Sequence, residues 1–167
     1  MKRLILTIAV CAGLLVAGCG GDDDSSSEST AASGSPTTEA SSEDTSTKPK
    51  VTVPEGAPPK QLEVEDLVPG SGAEAKSGDE VTVQYVGVNY KNGREFDSSW
   101  SRNEPFSFTL GRGEVIPGWD QGVEGMKVGG RRELIIPPEL AYGPEGSPPS
   151  IGPNETLIFV IDLLEVG

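Results

Sequence analysis

The chain has 167 residues, no histidine, two cysteines, and 26 acidic against 13 basic side chains, which gives a formal net charge of −13. Without histidine there is no Ser-His-Asp triad, no Cys-His pair and no imidazole metal site. So acidic a chain is a poor match for nucleic acid, because phosphates require clusters of lysine and arginine. The acidic residues lack the spacing of metal ligands, so we expect no metal and no cofactor.

The first nineteen residues have the features of an export signal. Lys2 and Arg3 precede an apolar run at 4–18, which is shorter than the roughly 20 residues of a membrane-spanning helix. The run ends in VAGC at 16–19, which resembles the lipobox of bacterial lipoproteins. We therefore predict lipidation of Cys19 and an extracytoplasmic protein, anchored to the bacterial cell membrane by acyl chains in the bilayer. The alternatives are a signal peptide cut elsewhere and a short uncleaved apolar anchor.

Residues 22–59 differ in composition from the rest of the chain. They include 15 serine and threonine residues, eight acidic residues and no aromatic residue. Such a segment buries too little apolar surface to offset its loss of chain entropy, so we predict disorder. We interpret it as a spacer rather than a tail that only adds solubility, because a folded region follows. The expected boundaries are a signal peptide at 1–18, a lipidated Cys19 with a disordered Ser/Thr/Asp-rich tether at 19–59, and a domain at 60–167.

The domain is predicted to be of the α+β class. Alternating or β-branched runs predict five strands, near residues 61–68, 81–88, 105–110, 131–136 and 156–166. One short helix is predicted at 117–123, because Pro117 suits the first helical turn. The expected fold is a curved antiparallel sheet of about five strands wrapped around one short helix, preceded by a disordered tail.

All nine aromatic residues occur at position 85 or later. Strand alternation puts Tyr85, Phe106, Phe108 and Phe159 on inward faces, and Trp119 lies in the predicted helix. A sheet that curves over this helix brings the rings together. They form either a filled hydrophobic core or the lining of a cavity, and spacing alone favours the core.

Six ordered motifs resemble those of the FKBP family of peptidyl-prolyl cis-trans isomerases, in its bacterial lipoprotein form. The similarity runs from about residue 62 to residue 165. The motifs are QYVG at 84–87, NGREFDSS at 92–99, PFSFTLG at 105–111, EVIPGWDQGV at 114–123, IIPPELAYG at 135–143 and LIFV at 157–160. With this resemblance, a cavity becomes the preferred interpretation of the aromatic residues.

The resemblance implies a binding role for each cavity residue. Trp119 would be the floor on which the proline ring of a substrate rests, and Phe96 would cover one side. Phe108 and Leu157 would belong to the core behind the cavity. The walls would be formed by Tyr85, Phe106, Val115, Ile116 and Phe159.

The resemblance also implies three catalytic groups. The backbone N–H of Ile116 and the hydroxyl of Tyr142 would donate hydrogen bonds to substrate carbonyls. Asp97 would lie at the cavity edge, bonded to the hydroxyl of Tyr85 and near Arg102. The alternative interpretation of Asp97 is a structural anion that only fixes Tyr85.

Three positions depart from the family pattern. Family members commonly have an aromatic residue where Leu140 stands, and often have histidine at Ser147 and an apolar residue at Ser150. These positions lie on or near a loop at 143–153 that is expected to overhang the cavity. Fewer apolar contacts there predict a weaker grip on bulky ligands.

The predicted function is acceleration of Xaa-Pro rotation in exported proteins, by binding the twisted imide in an aromatic pocket. The first alternative is a non-catalytic holdase or proline-binding module on the same fold, and a second is an adhesin or envelope scaffold. The expected partners are proline-containing exported polypeptides, macrolide ligands, and the bilayer through acylated Cys19, with no nucleic acid.

Overall fold

Six antiparallel strands form one sheet in the computed structural model, which describes residues 45–167. The predicted signal segment and Cys19 lie outside these residues. The sheet order is β1-β5-β6-β2-β3, with β4 also paired to β2. The strands are β1 (Glu63–Val68), β2 (Glu80–Asn89), β3 (Glu95–Ser98), β4 (Phe106–Thr109), β5 (Arg131–Ile136) and β6 (Leu157–Val166).

One edge of β2 is shared by two short strands. β3 pairs with residues 86–88 of β2 and β4 pairs with residues 80–83. Between these pairings, the backbone N–H of Tyr85 donates to the buried hydroxyl of Ser99, with an N–O distance of 2.7 Å. Tyr85 therefore has no strand partner on that side, and the hydroxyl of Ser99 takes the place of one by accepting from the Tyr85 N–H.

Two short helices complete the fold, together with a 3-10 turn at Pro138–Leu140. Helix α1 (Ser99–Arg102) follows β3 directly, and helix α2 (Pro117–Val123) lies against β5. The approach of α2 is close, since a Cβ atom at Gly122 would lie 2.6 Å from the side chain of Leu134. Glycine is therefore required there for the helix to reach the sheet.

The larger core lies between the sheet and α2. Trp119 and Val123 of the helix pack against inward side chains of β2, β4, β5 and β6. A smaller cluster lies on the outer face of the sheet and consists of Val86, Val88, Tyr90, Ile135 and Ile158. Both faces of the central strands are thus apolar, and each one requires a cover.

The predicted α+β fold is confirmed, and the sheet has six strands rather than about five. Helix α2 and strand β5 have the predicted bounds. Strand β3 and helix α1, which have four residues each, were not predicted. Their polar, serine-rich sequence has no clear strand or helix period, so tertiary pairing with β2 decides their structure.

Residues 45–59, here called the N-terminal strap, lie on the outer face of the sheet. Val51 and Val53 pack against the outer cluster, and Pro49 is buried. The carbonyl of Thr47 accepts a hydrogen bond from Arg131, with an N–O distance of 2.7 Å. The strap was expected to be part of a disordered tether, and for residues 45–59 the structure differs from that expectation.

Three further contacts hold the strap near its ends. The ammonium group of Lys48 lies 2.8 Å from a carboxylate oxygen of Glu95 in β3, and it also donates to Ser101 in α1. Near the other end, the hydroxyl of Tyr90 donates to the carbonyl of Ala57. The packed region therefore begins before the expected boundary at residue 60, because the outer sheet face supplies apolar surface for the strap to bury.

Membrane-spanning helices and clusters of metal-binding side chains are both absent from residues 45–167. No helix in this part of the chain has the length and apolar character needed to cross a membrane. Nor do three or more cysteine, aspartate or glutamate side chains gather there in a group that could hold a metal ion.

Candidate active site

Aromatic rings surround the indole of Trp119, which is 4% exposed. The ring centroids of Tyr85 and Phe159 lie 5.1 and 5.2 Å from it, both nearly perpendicular. Those of Phe108 and Phe106 lie 5.7 and 6.2 Å away. Edge-to-face contacts of this kind favour defined ring orientations, so the rings support one another without a ligand.

A cavity of about 390 Å³ opens above these rings. Phe96 closes one side of it, with its ring centroid 5.5 Å from that of Phe159. This ring pair depends on Gly87, since a Cβ atom there would lie 2.7 Å from both rings. The lining residues are Tyr85, Phe96, Asp97, Phe106, Glu114, Val115, Ile116, Trp119, Tyr142 and Phe159.

Asp97, Tyr85 and Arg102 form a polar cluster at the cavity edge. The hydroxyl of Tyr85 donates to one carboxylate oxygen of Asp97 at 2.5 Å, and the guanidinium of Arg102 binds the other. Arg102 also donates to the Tyr85 hydroxyl at 2.9 Å, and its guanidinium carbon lies 5.8 Å from the centre of the Tyr85 ring. The cluster locks the phenol ring that forms one wall of the cavity.

This cluster shifts the ionisation of its members in opposite directions. Burial alone would raise the pKa of Asp97, but hydrogen bonds from Tyr85 and Arg102 outweigh it and hold the pKa below its usual value. Burial and the hydrogen bond to Asp97 raise the pKa of Tyr85. Asp97 is therefore a carboxylate and Tyr85 a neutral phenol at neutral pH.

Besides the buried indole N–H of Trp119, which has no partner either, both hydrogen-bond donors predicted to bind substrate are without a partner within residues 45–167. One is the backbone N–H of Ile116, the residue that precedes α2. The other is the hydroxyl of Tyr142, a side chain that is 40% exposed and lines the cavity. Burial raises the pKa of Tyr142, and the charge of Asp97 adds to this, so its hydroxyl keeps its proton. Both donors are available to a ligand.

The segment that leads to Ile116 is held by Asp120 of α2. Its two carboxylate oxygens accept hydrogen bonds from the backbone N–H groups of Gly111 and Gly113, at 2.8 and 3.0 Å. Glu114 in the same segment accepts from the N–H of Thr109 at 2.9 Å. These bonds fix the path of the chain that carries Val115 and Ile116 to the cavity wall.

The structure brings all nine predicted binding and catalytic residues around one cavity, although their roles in turnover stay predictions. Phe108 and Leu157 lie in the core, as expected. Of the loop predicted to overhang the cavity, only its neighbour Tyr142 is a lining residue. Sequence reasoning missed Glu114 as a lining residue and the support from Ser99 and Asp120, for which side-chain spacing gave no signal.

A family model and two bacterial relatives with high sequence identity point to the same protein family. A family model described as FKBP-type peptidyl-prolyl cis-trans isomerase matches residues 72–164. The FK506-binding protein of Streptomyces anulatus is 57% identical over 120 residues, covering 71% of this chain and 97% of the relative. The probable FK506-binding protein of Corynebacterium glutamicum is 51% identical over 117 residues, 70% of this chain and 97% of the relative.

The Streptomyces match also includes part of the N-terminal strap. A match covering 71% of a 167-residue chain must begin at or before residue 50. Similarity to this relative therefore extends upstream of residue 72, where the family model begins.

Solved structures of similar fold belong to the same group. The crystal structure of AtFKBP13 has 43% sequence identity and a TM-score of 0.59, covering 64% of this chain and 93% of that chain. FkpA from Escherichia coli has 47% identity and a TM-score of 0.58, covering 63% of this chain and 47% of that one. Because the family model spans more than half of the sequence and the cavity carries the corresponding residues, this chain belongs to the FKBP-type peptidyl-prolyl cis-trans isomerase family.

Proposed function

We propose that this protein accelerates rotation about Xaa-Pro bonds in exported polypeptides, by holding the twisted imide in the aromatic cavity. One observation carries the proposal: the 390 Å³ cavity combines an apolar floor at Trp119 with two unused donors, the Ile116 N–H and the Tyr142 hydroxyl. The floor accepts a proline ring, and the donors reach carbonyl groups on either side of it.

The reaction requires no general base. Rotation about a peptide C–N bond loses resonance, and the barrier is about 18–20 kcal/mol. The cis and trans states of an Xaa-Pro bond differ by only about 0.5–1 kcal/mol, so the difficulty is kinetic. No covalent bond breaks and no proton leaves the substrate. A chain without histidine is therefore chemically adequate for this reaction.

An apolar cavity favours the twisted state over the planar one. Twisting removes charge separation from the amide, so the transition state is less polar than the ground state. Water stabilises the planar amide more strongly than the twisted one. Aromatic walls stabilise the two forms more equally, so the barrier is lower in the cavity than in water. Only such a preference for the transition state raises the rate, and about 2.7 kcal/mol of preference gives a hundredfold acceleration.

The two donors orient the substrate while the bond turns. Hydrogen bonds from Ile116 and Tyr142 would hold the flanking carbonyl groups, so that rotation is confined to one bond. Asp97 and Arg102 would hold the Tyr85 wall in place rather than exchange protons with the substrate, since Asp97 already accepts a hydrogen bond from the Tyr85 hydroxyl.

Asp97→Ala is expected to lower kcat/KM for an Xaa-Pro peptide about three- to tenfold, because the Tyr85 ring loses the hydrogen bond that fixes it. The unfolding free energy should change by less than about 1 kcal/mol, since the carboxylate is 41% exposed and its ion pair is screened by solvent. Peptide kinetics and thermal unfolding measure the two effects. Glu95→Ala, in the same strand but outside the cavity lining, is the matched control. An unchanged kcat/KM with lowered stability would make Asp97 a structural anion only.

We also infer that the protein is anchored outside the cytoplasm through lipidated Cys19. When the full chain is produced in bacteria supplied with a labelled fatty acid, we expect Cys19→Ser to abolish incorporation and release the protein from the membrane fraction. Cys11→Ser is the control and should retain the label, because residue 11 lies in the apolar run. Label retained in Cys19→Ser would refute the anchor.

A macrolide is a further expected ligand of the cavity. The names of both bacterial relatives record FK506 binding, and the cavity here has an aromatic floor of the kind such a ligand would cover. Leu140, Ser147 and Ser150 do not line the cavity, so a bulky ligand would find few apolar contacts there, which predicts weaker binding than at a loop with larger apolar side chains. Quenching of tryptophan fluorescence on titration with FK506 would measure the affinity.

Refolding of a polypeptide limited by Xaa-Pro isomerisation separates catalysis from holding. With the full chain at one tenth of the substrate concentration, we expect the slow phase to accelerate about tenfold or more, which corresponds to at least about 1.4 kcal/mol. A holdase would raise the yield and leave the slow rate unchanged. That second result would replace the enzyme by a binding module on the same fold.

A further inference from the structure

The side chain of Asn89 makes a hydrogen bond outside the cavity. Asn89 ends β2 and is 3% exposed. Its Nδ2 group donates to the backbone carbonyl of Ser150, with an N–O distance of 3.2 Å. Its Oδ1 atom is buried and has no hydrogen-bond partner within residues 45–167. A buried acceptor without a partner costs stability, so Asn89 is a poor choice for packing alone.

The acceptor of this bond belongs to residues 142–151, here called the Tyr142 loop. The loop is closed by reciprocal backbone hydrogen bonds between Ser147 and Ile151, both at 3.0 Å. The N–H of Gly146 donates to the carbonyl of Tyr142 at 3.2 Å. An unbroken set of contacts thus runs from Ser150 back to the residue whose hydroxyl lines the cavity.

The tip of the Tyr142 loop has little other support. Residues 147–150 are all exposed, and Ile151 alone of residues 147–151 is buried in the core. At its root the loop is held by two bonds of Gly143, whose N–H donates to the carbonyl of Pro138 at 2.8 Å and whose carbonyl accepts from the N–H of Asn154 at 2.9 Å. Within residues 45–167, the bond from Asn89 is the one hydrogen bond that joins residues 144–151 to a part of the fold outside the Tyr142 loop. Loss of this bond would leave the tip held by the burial of Ile151 and by the root of the loop at Tyr142 and Gly143.

We propose that Asn89 is a positioning residue, which holds the Tyr142 loop through Ser150 and so keeps the Tyr142 hydroxyl at the cavity. The kinetic part of this inference rests on the proposed function, whereas the structural part does not. A hydrogen bond is needed to hold the tip because its serine and proline side chains are exposed and do not pack against the rest of the fold. An asparagine that supplies the Nδ2 donor also buries an Oδ1 atom without a partner, which lowers stability.

Asn89→Leu separates positioning from simple packing. Leucine has the same branched shape and removes both the donor and the unpartnered acceptor. We expect the melting temperature of the full chain to stay unchanged or rise. Amide exchange at Ser147 and Ile151, measured by NMR, should become about three- to tenfold faster, while amides of β2 and β6 exchange as before. KM for an Xaa-Pro peptide should rise about two- to fivefold with kcat unchanged, since loop contacts act on binding.

Asn92→Ala is the matched control. Asn92 lies three residues further on, and within residues 45–167 its side chain accepts only from the N–H of Arg94 in the turn between β2 and β3. Exchange of the loop amides and KM should equal those of the wild type.

Wild-type exchange rates at Ser147 and Ile151 in folded Asn89→Leu would overturn the proposal, as would faster exchange with KM unchanged. If leucine prevents folding, Asn89→Ala poses the same question without added volume. If the wild type itself does not catalyse rotation, the proposed function fails, and the exchange rates still decide whether Asn89 holds the loop.

Discussion

Deletion of residues 45–59 from the full chain is expected to lower the free energy of unfolding by about 2–4 kcal/mol. The deletion removes the N-terminal strap and exposes the outer cluster, in which Ile158 is fully buried and Val86 is 2% exposed. Urea denaturation measures the change, and the smaller buried area should also lower the m-value.

The size of this effect follows from the contacts of the strap. Val51 and Val53 are partly buried on the cluster, and burial of one valine contributes about 1.5–3 kcal/mol when complete. The Arg131–Asp162 ion pair under the strap has side chains 2% and 1% exposed, and the deletion removes the Thr47 carbonyl that Arg131 also binds. Ordering of the strap costs chain entropy, which is why the net effect stays well below the sum of these contributions.

A pair of variants tests the explanation. The double substitution Val51→Ala and Val53→Ala should reproduce most of the loss, because it removes the apolar contacts and keeps the chain length. Lys50→Ala should change stability by less than about 0.5 kcal/mol, since the exposed Lys50 has no hydrogen bond or ion pair within residues 45–167. Equal stability of the deleted and intact chains would restore the domain boundary at residue 60.

Trp119→Leu is expected to lower kcat/KM for an Xaa-Pro peptide about tenfold to a hundredfold, as 1–3 kcal/mol of lost pocket contact would. Leucine keeps the floor apolar but leaves a void among the surrounding rings. Stability should fall by about 1–3 kcal/mol, because Trp119 is 4% exposed and contacts four other rings. Peptide kinetics at a temperature where the variant is folded measure the first effect.

Phe108→Leu distinguishes the floor from the core behind it. Phe108 is 3% exposed and lies 5.7 Å from Trp119 by ring centroids, but it does not line the cavity. Its substitution should lower stability by a similar amount and kcat/KM by less than about threefold. If both variants lose activity in proportion to stability, the aromatic rings act as core and the cavity has no special role.

Helices and strands that have a clear local sequence signal, such as a proline at the start or an apolar β-branched run, were predicted from the sequence. Pro117 marks the start of α2, and the run at 131–136 matches β5 in both bounds. Helix α1 has only terminal signals. Ser98 accepts a hydrogen bond from the N–H of Ser101, and Asn103 ends the helix in the left-handed region. Four residues between such caps give no period, so the sequence alone does not identify the helix.

The strap was missed for a different reason. Disorder was predicted from the average composition of residues 22–59, and that average hides two valines spaced for one face of an extended chain. Their burial depends on an apolar strip contributed by β2, β5 and β6. Composition reports what a segment can bury by itself, whereas the strap buries its side chains against surface supplied by distant strands.

The candidate site was predicted mainly through resemblance. Strand alternation put Phe106 and Phe108 on one face, and they stack at 5.7 Å, yet Phe106 is 38% exposed at the cavity and Phe108 is buried. Alternation does not separate lining from core, because both face inward. The family motifs assigned Phe106 to the wall, and Phe106 does line the cavity, while its role in binding substrate stays a prediction.

NMR exchange spectroscopy on one short Xaa-Pro peptide, in the presence of the full chain, tests catalysis by the aromatic cavity most directly. Uncatalysed exchange between cis and trans takes tens to hundreds of seconds. With substoichiometric protein, we predict exchange cross-peaks on a timescale of about a second or less, with an unchanged cis-to-trans ratio. Peptide resonances that broaden through binding while cis–trans exchange keeps its uncatalysed rate would contradict catalysis by this cavity.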